Sequence, residues 1–213
     1  MAEKKVLLPA SQRAILFAQA TREYKVDQPA KIYSSGQTVR FDLPKSRFLS
    51  KILLRVKGTF KAKHATKTSF VEMGLGRYNI LNQIRISINN GFNPYQLSGK
   101  SLKAYNMVSK FQKPQGDNFG VEVFENVVSV AGATNKVNFT MELPLTLNER
   151  DCVGLLMLQN DETYVTVEID LGSILSCMVD SDIVIESENI TITPVLHTFS
   201  IPRDENAIPD YSV

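Results

Sequence analysis

The sequence predicts an all-β protein, an antiparallel β-sandwich held in one folded unit. Three observations point there: five runs in which apolar residues recur at every second position, a single body segment with the spacing of a packed helix, and no strand-helix alternation of the kind that builds a parallel sheet. With 213 residues and 43% hydrophobic content, the chain is long enough to bury a core.

The first segment of the chain does not fit the sandwich. Residues 1–35 read as an N-terminal arm: Ser11 can cap a short helix carrying Ile15, Leu16, Phe17 and Ala18, but that apolar cluster wraps most of the helix and its flanks are polar. Such an arm needs something to lie on. From Thr38 the period becomes two, with Val39, Phe41 and Leu43 on one side and Thr38, Arg40 and Asp42 on the other, until Pro44 ends the strand. Residues 48–61 place Ile52, Leu54, Val56 and Phe60 on one face and Arg55, Lys57, Thr59 and Lys61 on the opposite one, with a bend expected at Gly58.

Ile84, Ile86 and Ile88 form a third alternation, closed by the Asn90-Gly91 turn signal. Phe92 and Tyr95 begin the return, which Pro94 confines to an edge or loop. Ser98-Gly99-Lys100-Ser101 then opens the body helix, whose expected core stripe is Leu102, Tyr105, Val108 and Phe111. A loop follows, and residues 121–130 favour strand through their valines. Val137, Phe139, Met141 and Leu143 alternate; residues 155–158 are continuously apolar; Val165, Val167, Ile169 and Leu171 make the clearest half-buried strand. Residues 183–185 and 190–196 complete eight or nine strands. Residues 199–213, punctuated by Pro202 and Pro209, read as a second arm around a domain spanning residues 36–198. A jelly roll is the natural member of this class, because its loops of unequal length carry one inserted helix easily; an immunoglobulin-like sandwich is the alternative topology.

Several function classes are weakened by composition. No apolar run approaches the span of a bilayer and Met1 leads into no signal-type segment, so the expectation is a chain without membrane contact, made in a reducing host cytoplasm. Two cysteines, Cys152 and Cys177, cannot staple a fold, and with only His64 and His197 they make a poor pool of metal ligands. Ser98-Gly99-Lys100-Ser101 has the tail of a phosphate loop, but Pro94 stands where its first glycine belongs, and a capped helix start is the better reading. His64, among Lys61, Lys63 and Lys67, is poorly placed as a base, and His197 reads as structural. The carboxylate pairs Glu149/Asp151, Asp161/Glu162, Asp180/Asp182 and Glu186/Glu188 read as turn and surface residues. No catalytic residue, metal ligand or cofactor is expected.

Charge is unevenly distributed. Residues 1–113 carry 21 Lys and Arg against 5 Asp and Glu, and residues 114–213 carry 3 against 17, net charges of +16 and −14 within a whole-chain charge of +2. Two arrangements are open: the halves interleave in one sandwich and neutralise each other, or basic and acidic faces meet between copies. Lys57, Lys61, Lys63 and Lys67 around Phe60 and Phe70 also leave contact with packaged nucleic acid open as an accessory role.

Several segments resemble those of jelly-roll virion structural proteins of bacterial viruses, of the capsid- or tail-associated kind: GQTVRFDLP at residues 36–44, FLSKILLRVKGTF at 48–60, NILNQIRISINNG at 79–91, LSG at 97–99 leading into the helix, and LPLTLNER at 143–150. The resemblance is one of pattern and covers most of residues 36–200. It implies a virion component that assembles with copies of itself and with other virion proteins, with no catalytic residues to carry over. One such sandwich fits the length, which departs from double-barrel major capsid proteins and favours a minor capsid, vertex, collar or tail component. Recognition of a receptor or glycan through the loops is the alternative function. The expected assembly interface is formed by the arms, through Leu7, Leu8, Ile15, Leu16, Phe17, Phe199 and Ile201.

Overall fold

The computed structural model describes residues 8–89, 91–109, 122–145, 155–158 and 163–208, with the side chains of Ala10 and Glu205 left aside. Two antiparallel sheets face each other, as the alternating runs require. The larger contains β1 (Glu23–Asp27), β2 (Lys31–Ile32), β4 (Phe48–Lys63), β7 (Val123–Phe124), β8 (Ala133–Leu143), β9 (Leu156–Met157) and β11 (Val184–Phe199); the smaller contains β3 (Thr38–Asp42), β5 (Leu81–Ile88), β6 (Gln96–Leu97) and β10 (Val165–Leu171). The order is β1-β11-β4-β8-β7 in the first, with β2 also along β11 and β9 also along β4, and β3-β10-β5-β6 in the second. From β3 to β5 and from β9 to β11 the chain passes back and forth between the sheets, so the core forms between elements distant in sequence.

The inward positions are the apolar ones. Ile52, Leu54, Val56 and Phe60 of β4, with Val137, Phe139 and Met141 of β8, face Ile84 and Ile86 of β5 and Val167 and Ile169 of β10 in one buried cluster. Thr38, Arg40 and Asp42 are exposed between the buried Val39 and Phe41. Gly58 stays in the ladder, opposite Ile190 on one side and Val137 on the other.

Several elements differ from expectation. The two runs expected at residues 183–185 and 190–196 are one sixteen-residue strand, β11, and the described strands number eleven. The valines of residues 122–130 yield only the two-residue β7, with single bridges at Val127 and Ser129. Asn89 supplies a left-handed residue at the turn after β5, with φ 52°, and Asn90 of the Asn-Gly pair lies outside the described residues. The body helix α2 (Gly99–Ser109) buries Leu102 but otherwise Lys103 and Asn106, while Val108 is 79% exposed; Phe111 lies outside the described residues. A charged residue can hold the inward face here because a carboxylate meets it, which apolar spacing does not reveal.

The segment expected as an N-terminal arm is partly built into the sheet. Helix α1 (Ala10–Ala20) starts after Pro9 with no side-chain cap, so Ser11 sits inside its first turn. β1 and β2 then pair with β11 of the same chain.

Candidate assembly surface

The two ends of the chain are clasped together by an irregularity in the central ladder. Along β11 and β4 the pairing runs His197 with Lys51 but Thr198 with Leu49, so Ser50 is an extra residue and the side-chain alternation slips by one. Leu49 therefore joins the core between the sheets, while Phe48, though fully buried, is outside that cluster. Phe48 meets Phe17 of α1 with ring centroids 6.0 Å apart, and Phe17 meets Phe199 at 5.4 Å, both edge-on. The backbone closes the same junction: Ser200 N–H donates to Arg22 O and Arg22 N–H to Ser200 Oγ, each at 3.0 Å. Arg13 donates to Leu8 O at 3.0 Å and to Ile208 O at 3.3 Å, tying the helix to the C-terminal segment.

The interface residues expected from sequence thus divide. Phe17 is 8% exposed and Phe199 half-buried, packed on each other; Leu16 and Ile201 are half-buried. Ile15 is 60% exposed, Leu8 is also exposed, and Leu7 lies outside the described residues. Phe17→Ala is expected to cost about 3 kcal/mol, the low end for a buried phenylalanine, and to speed proteolytic cleavage in residues 8–22. A melting curve and a digestion time course check both.

The opposite end of the sandwich, where β4 ends and β11 begins, carries a second set of exposed apolar side chains. Val179 N–H donates to Val71 O at 2.9 Å, and both side chains are exposed, as are Val127, Val130 and Val184 on neighbouring segments. Scattered exposed valines are ordinary, but this many on adjoining loops suit contact with another surface.

The charges of the two halves meet within the chain here. Basic β4 runs beside the acidic start of β11, so Lys61 reaches Glu186 at 2.9 Å and Lys63 reaches it at 3.6 Å. Lys67 Nζ sits between Asp180 at 2.7 Å and Asp182 at 2.8 Å, and Asp180 also accepts Val71 N–H. His64 Nδ1 accepts the N–H groups of Thr66 and Lys67, which leaves Nε2–H to donate to Asp182 at 2.9 Å. The Lys67 ammonium, and then His64, push the Asp182 carboxyl down to about 2; Lys67 likewise holds Asp180 below the usual carboxylate range. Groups depressed in the fold stabilise it above their unfolded pKa and lose that contribution as pH falls. The junction of residues 64–72 with 178–182 is therefore expected to loosen as acid is added from about pH 4 to pH 2, and hydrogen exchange at Val71 N–H checks it.

On the outer face of the small sheet, Glu168 pairs with Arg85 at 2.5 Å and with Arg40 at 3.7 Å, again joining the two halves in one polar surface.

Under α2 lies a buried polar centre that sequence reasoning missed. Lys103 Nζ donates to Glu122 Oε1 at 2.8 Å, Tyr78 OH donates to the other Glu122 oxygen, and Asn106 Nδ2 donates to Glu142 O at 3.0 Å. Lys103 is fully buried and 5.3 Å from the Tyr78 ring centroid. Beside them Glu72 holds Arg77 through both oxygens, at 2.8 and 2.7 Å. The available signal was the pair Lys103 and Asn106, one turn apart on the helix face away from Val108. The contacts of Lys103 and Asn106 lock α2 to the sandwich, and the Glu72–Arg77 pair braces the adjoining loop.

The chemical motifs are also occupied structurally. Ser98 Oγ accepts Ser101 N–H at 3.1 Å, capping α2, and a Cβ on Gly99 would lie 2.1 Å from Tyr78 O. Glycine is there for close approach of the helix, not to cradle an anion. His197 is buried, with Nδ1 2.6 Å from Glu23, whose carboxyl the contact holds below its ordinary value. Burial pushes the Cys177 thiol up to about 12, so it is inert at neutral pH. Cys152 and the pairs Glu149/Asp151 and Asp161/Glu162 lie outside the described residues. No described helix is long and apolar enough to cross a membrane.

No protein-family model and no curated protein matches the sequence. Solved structures do match. The major capsid protein of Sulfolobus turreted icosahedral virus overlays with a TM-score of 0.58 at 15% identity, covering 87% of this chain and 50% of its own. The PBCV-1 protein VP54, fitted into a reconstruction of the virophage Sputnik, overlays at 0.61 with 10% identity, covering 87% and 44%; the PBCV-1 capsid overlays at 0.58 with 9% identity over the same shares. The chain spans about half the length of these proteins. At such identity the likeness speaks to architecture: the sandwich is a jelly roll of the kind found in viral capsid proteins.

Proposed function

We propose that the chain is a non-enzymatic structural protein of a virus particle, a jelly-roll block that assembles with copies of itself and with other virion proteins. The observation that carries this reading is the overlay of 87% of the chain on capsid-protein sandwiches. Its surface supports it: apolar side chains are exposed at both ends of the sandwich, around Ile15 and around Val71 and Val179. The side chains best suited to catalysis, His64, His197, Asp180 and Asp182, are engaged in hydrogen bonds that hold segments together. Nucleic-acid contact has less support, because Lys61, Lys63 and Lys67 are paired with carboxylates. A bacterial virus as the source rests on the sequence resemblance alone. Electron microscopy of the purified chain, with light scattering, is the test. Rings, shell fragments or defined oligomers are expected; a monomer at the highest attainable concentration overturns the reading.

A further inference from the structure

Strand β1 is the outermost strand of the large sheet, and one of its sides has no described strand against it. The hydrogen bonds on its other side fix which backbone groups face outward. Arg22 O accepts Ser200 N–H at 3.0 Å, and Gln28 N–H donates to Pro194 O at 2.8 Å. Hydrogen-bonded pairs alternate along an antiparallel ladder, so residues 22, 24, 26 and 28 direct their backbone groups at β11. Glu23, Lys25 and Asp27 direct theirs at the open side, and all five residues of β1 are exposed. The outward positions alternate in sign: acid, base, acid.

We propose that this edge is filled by β1 of a second copy of the chain, antiparallel, about a two-fold axis through Tyr24. The proposal rests on the self-assembly reading above and specifies the surface that self-association uses. A two-fold axis perpendicular to the sheet passes through a single residue, and the three interior residues of the exposed strand are the centres that leave strand on both sides of the axis. Centring on Lys25 sets Lys25 against itself and Glu23 against Asp27, like charges directly opposed at every hydrogen-bonded pair. Centring on Val26 brings Glu23 opposite Pro29, which has no N–H to give to the ladder. Centring on Tyr24 sets Glu23 against Lys25 of the other copy, twice, with every outward N–H from Glu23 to Lys25 matched. The ladder then ends at Thr21, whose N–H is already given to Phe17 O. Glu23 contacts His197 through one oxygen, and a carboxylate has a second for the incoming ammonium.

The test introduces Tyr24→Cys, Lys25→Cys and Val26→Cys separately into the whole chain, oxidises each and measures the cross-linked dimer on a non-reducing gel. In the Tyr24 register, position 24 faces its own mate across a non-hydrogen-bonded pair with Cα atoms about 4.5 Å apart, while positions 25 and 26 stand beyond the roughly 7 Å a disulfide tolerates. The Tyr24→Cys variant is expected to give at least tenfold more dimer than the other two. Stronger linkage at 25 or 26, or none at any position, overturns the proposal. Lys25→Pro removes an N–H that β11 does not use, so the melting temperature is expected to hold while the dimer dissociation constant rises at least tenfold; an unchanged constant also overturns it. Oligomers seen by microscopy without linkage at 24 refute this edge and leave the self-assembly reading standing, whereas loss of all oligomers refutes that reading.

Discussion

Lys103→Met is expected to destabilise the protein by about 3–5 kcal/mol, because it leaves the Glu122 carboxylate buried without its ammonium. The side chains of both partners are almost wholly shielded from water, so neither charge can be rehydrated without opening the packing of α2. Tyr78 OH still donates to Glu122, but a hydroxyl does not neutralise a charge. The double variant Lys103→Met with Glu122→Gln removes both charges and keeps an oxygen for Tyr78. It is expected to recover most of the loss, since a buried ion pair adds little net stability over a neutral replacement of similar shape. Urea titrations of the three proteins measure the effect. A single variant within about 1 kcal/mol of the parent, or a double variant as unstable as the single, contradicts the account.

The second large effect is expected at Gly58, the middle of the central strand. A methyl group there would lie 2.1 Å from Asn189 O and 2.5 Å from Ile190 Cα, backbone atoms held in register by β11. A flexible side chain could swing aside, but a ladder flanked on both sides by paired strands has to shift as a unit. Gly58→Ala is therefore expected to cost about 3 kcal/mol or more, the upper part of the range for overpacking. Gly74→Ala, which meets nothing within 4 Å, is expected to stay within about 0.5 kcal/mol. Equal midpoints for the two variants would contradict the close approach.

The strands that sequence alone disclosed are those with one face in the core and one in water. β3, β8, β10 and the part of β4 from Leu54 onward alternate apolar with polar residues because burial favours apolar side chains on the face turned to the core. β1 alternates as well, Tyr24 and Val26 standing between Glu23, Lys25 and Asp27, but the run is short and neither face is buried, so it lacks the strong apolar face that marks a core strand, and its partner β11 holds it in the sheet. β11 looked like two runs because its first half, through Glu186 and Ser187, is largely exposed while its second half is covered. The buried face of α2 was hidden for another reason. Lys103 is tolerable inside only because Glu122 arrives from nineteen residues further on, and periodicity is blind to that. At the candidate surface the apolar residues of the arms were legible, but not what they touch. Phe17 meets Phe48 because a ladder slip turns Phe48 outward, and no local pattern announces such a slip.

The union of β4 with β11 joins residues 48–63 to residues 184–199, the longest ladder among the described residues. A polypeptide emerging from the ribosome can marry β4 to β8 once residue 143 is out, but the other side of β4 must wait some forty residues more for its mate. During that interval the nascent sheet lacks the strand that sits between β1 and β4. Biogenesis should accordingly be slow and governed by closure of a very large loop, with crowding by sibling chains the chief hazard on the way.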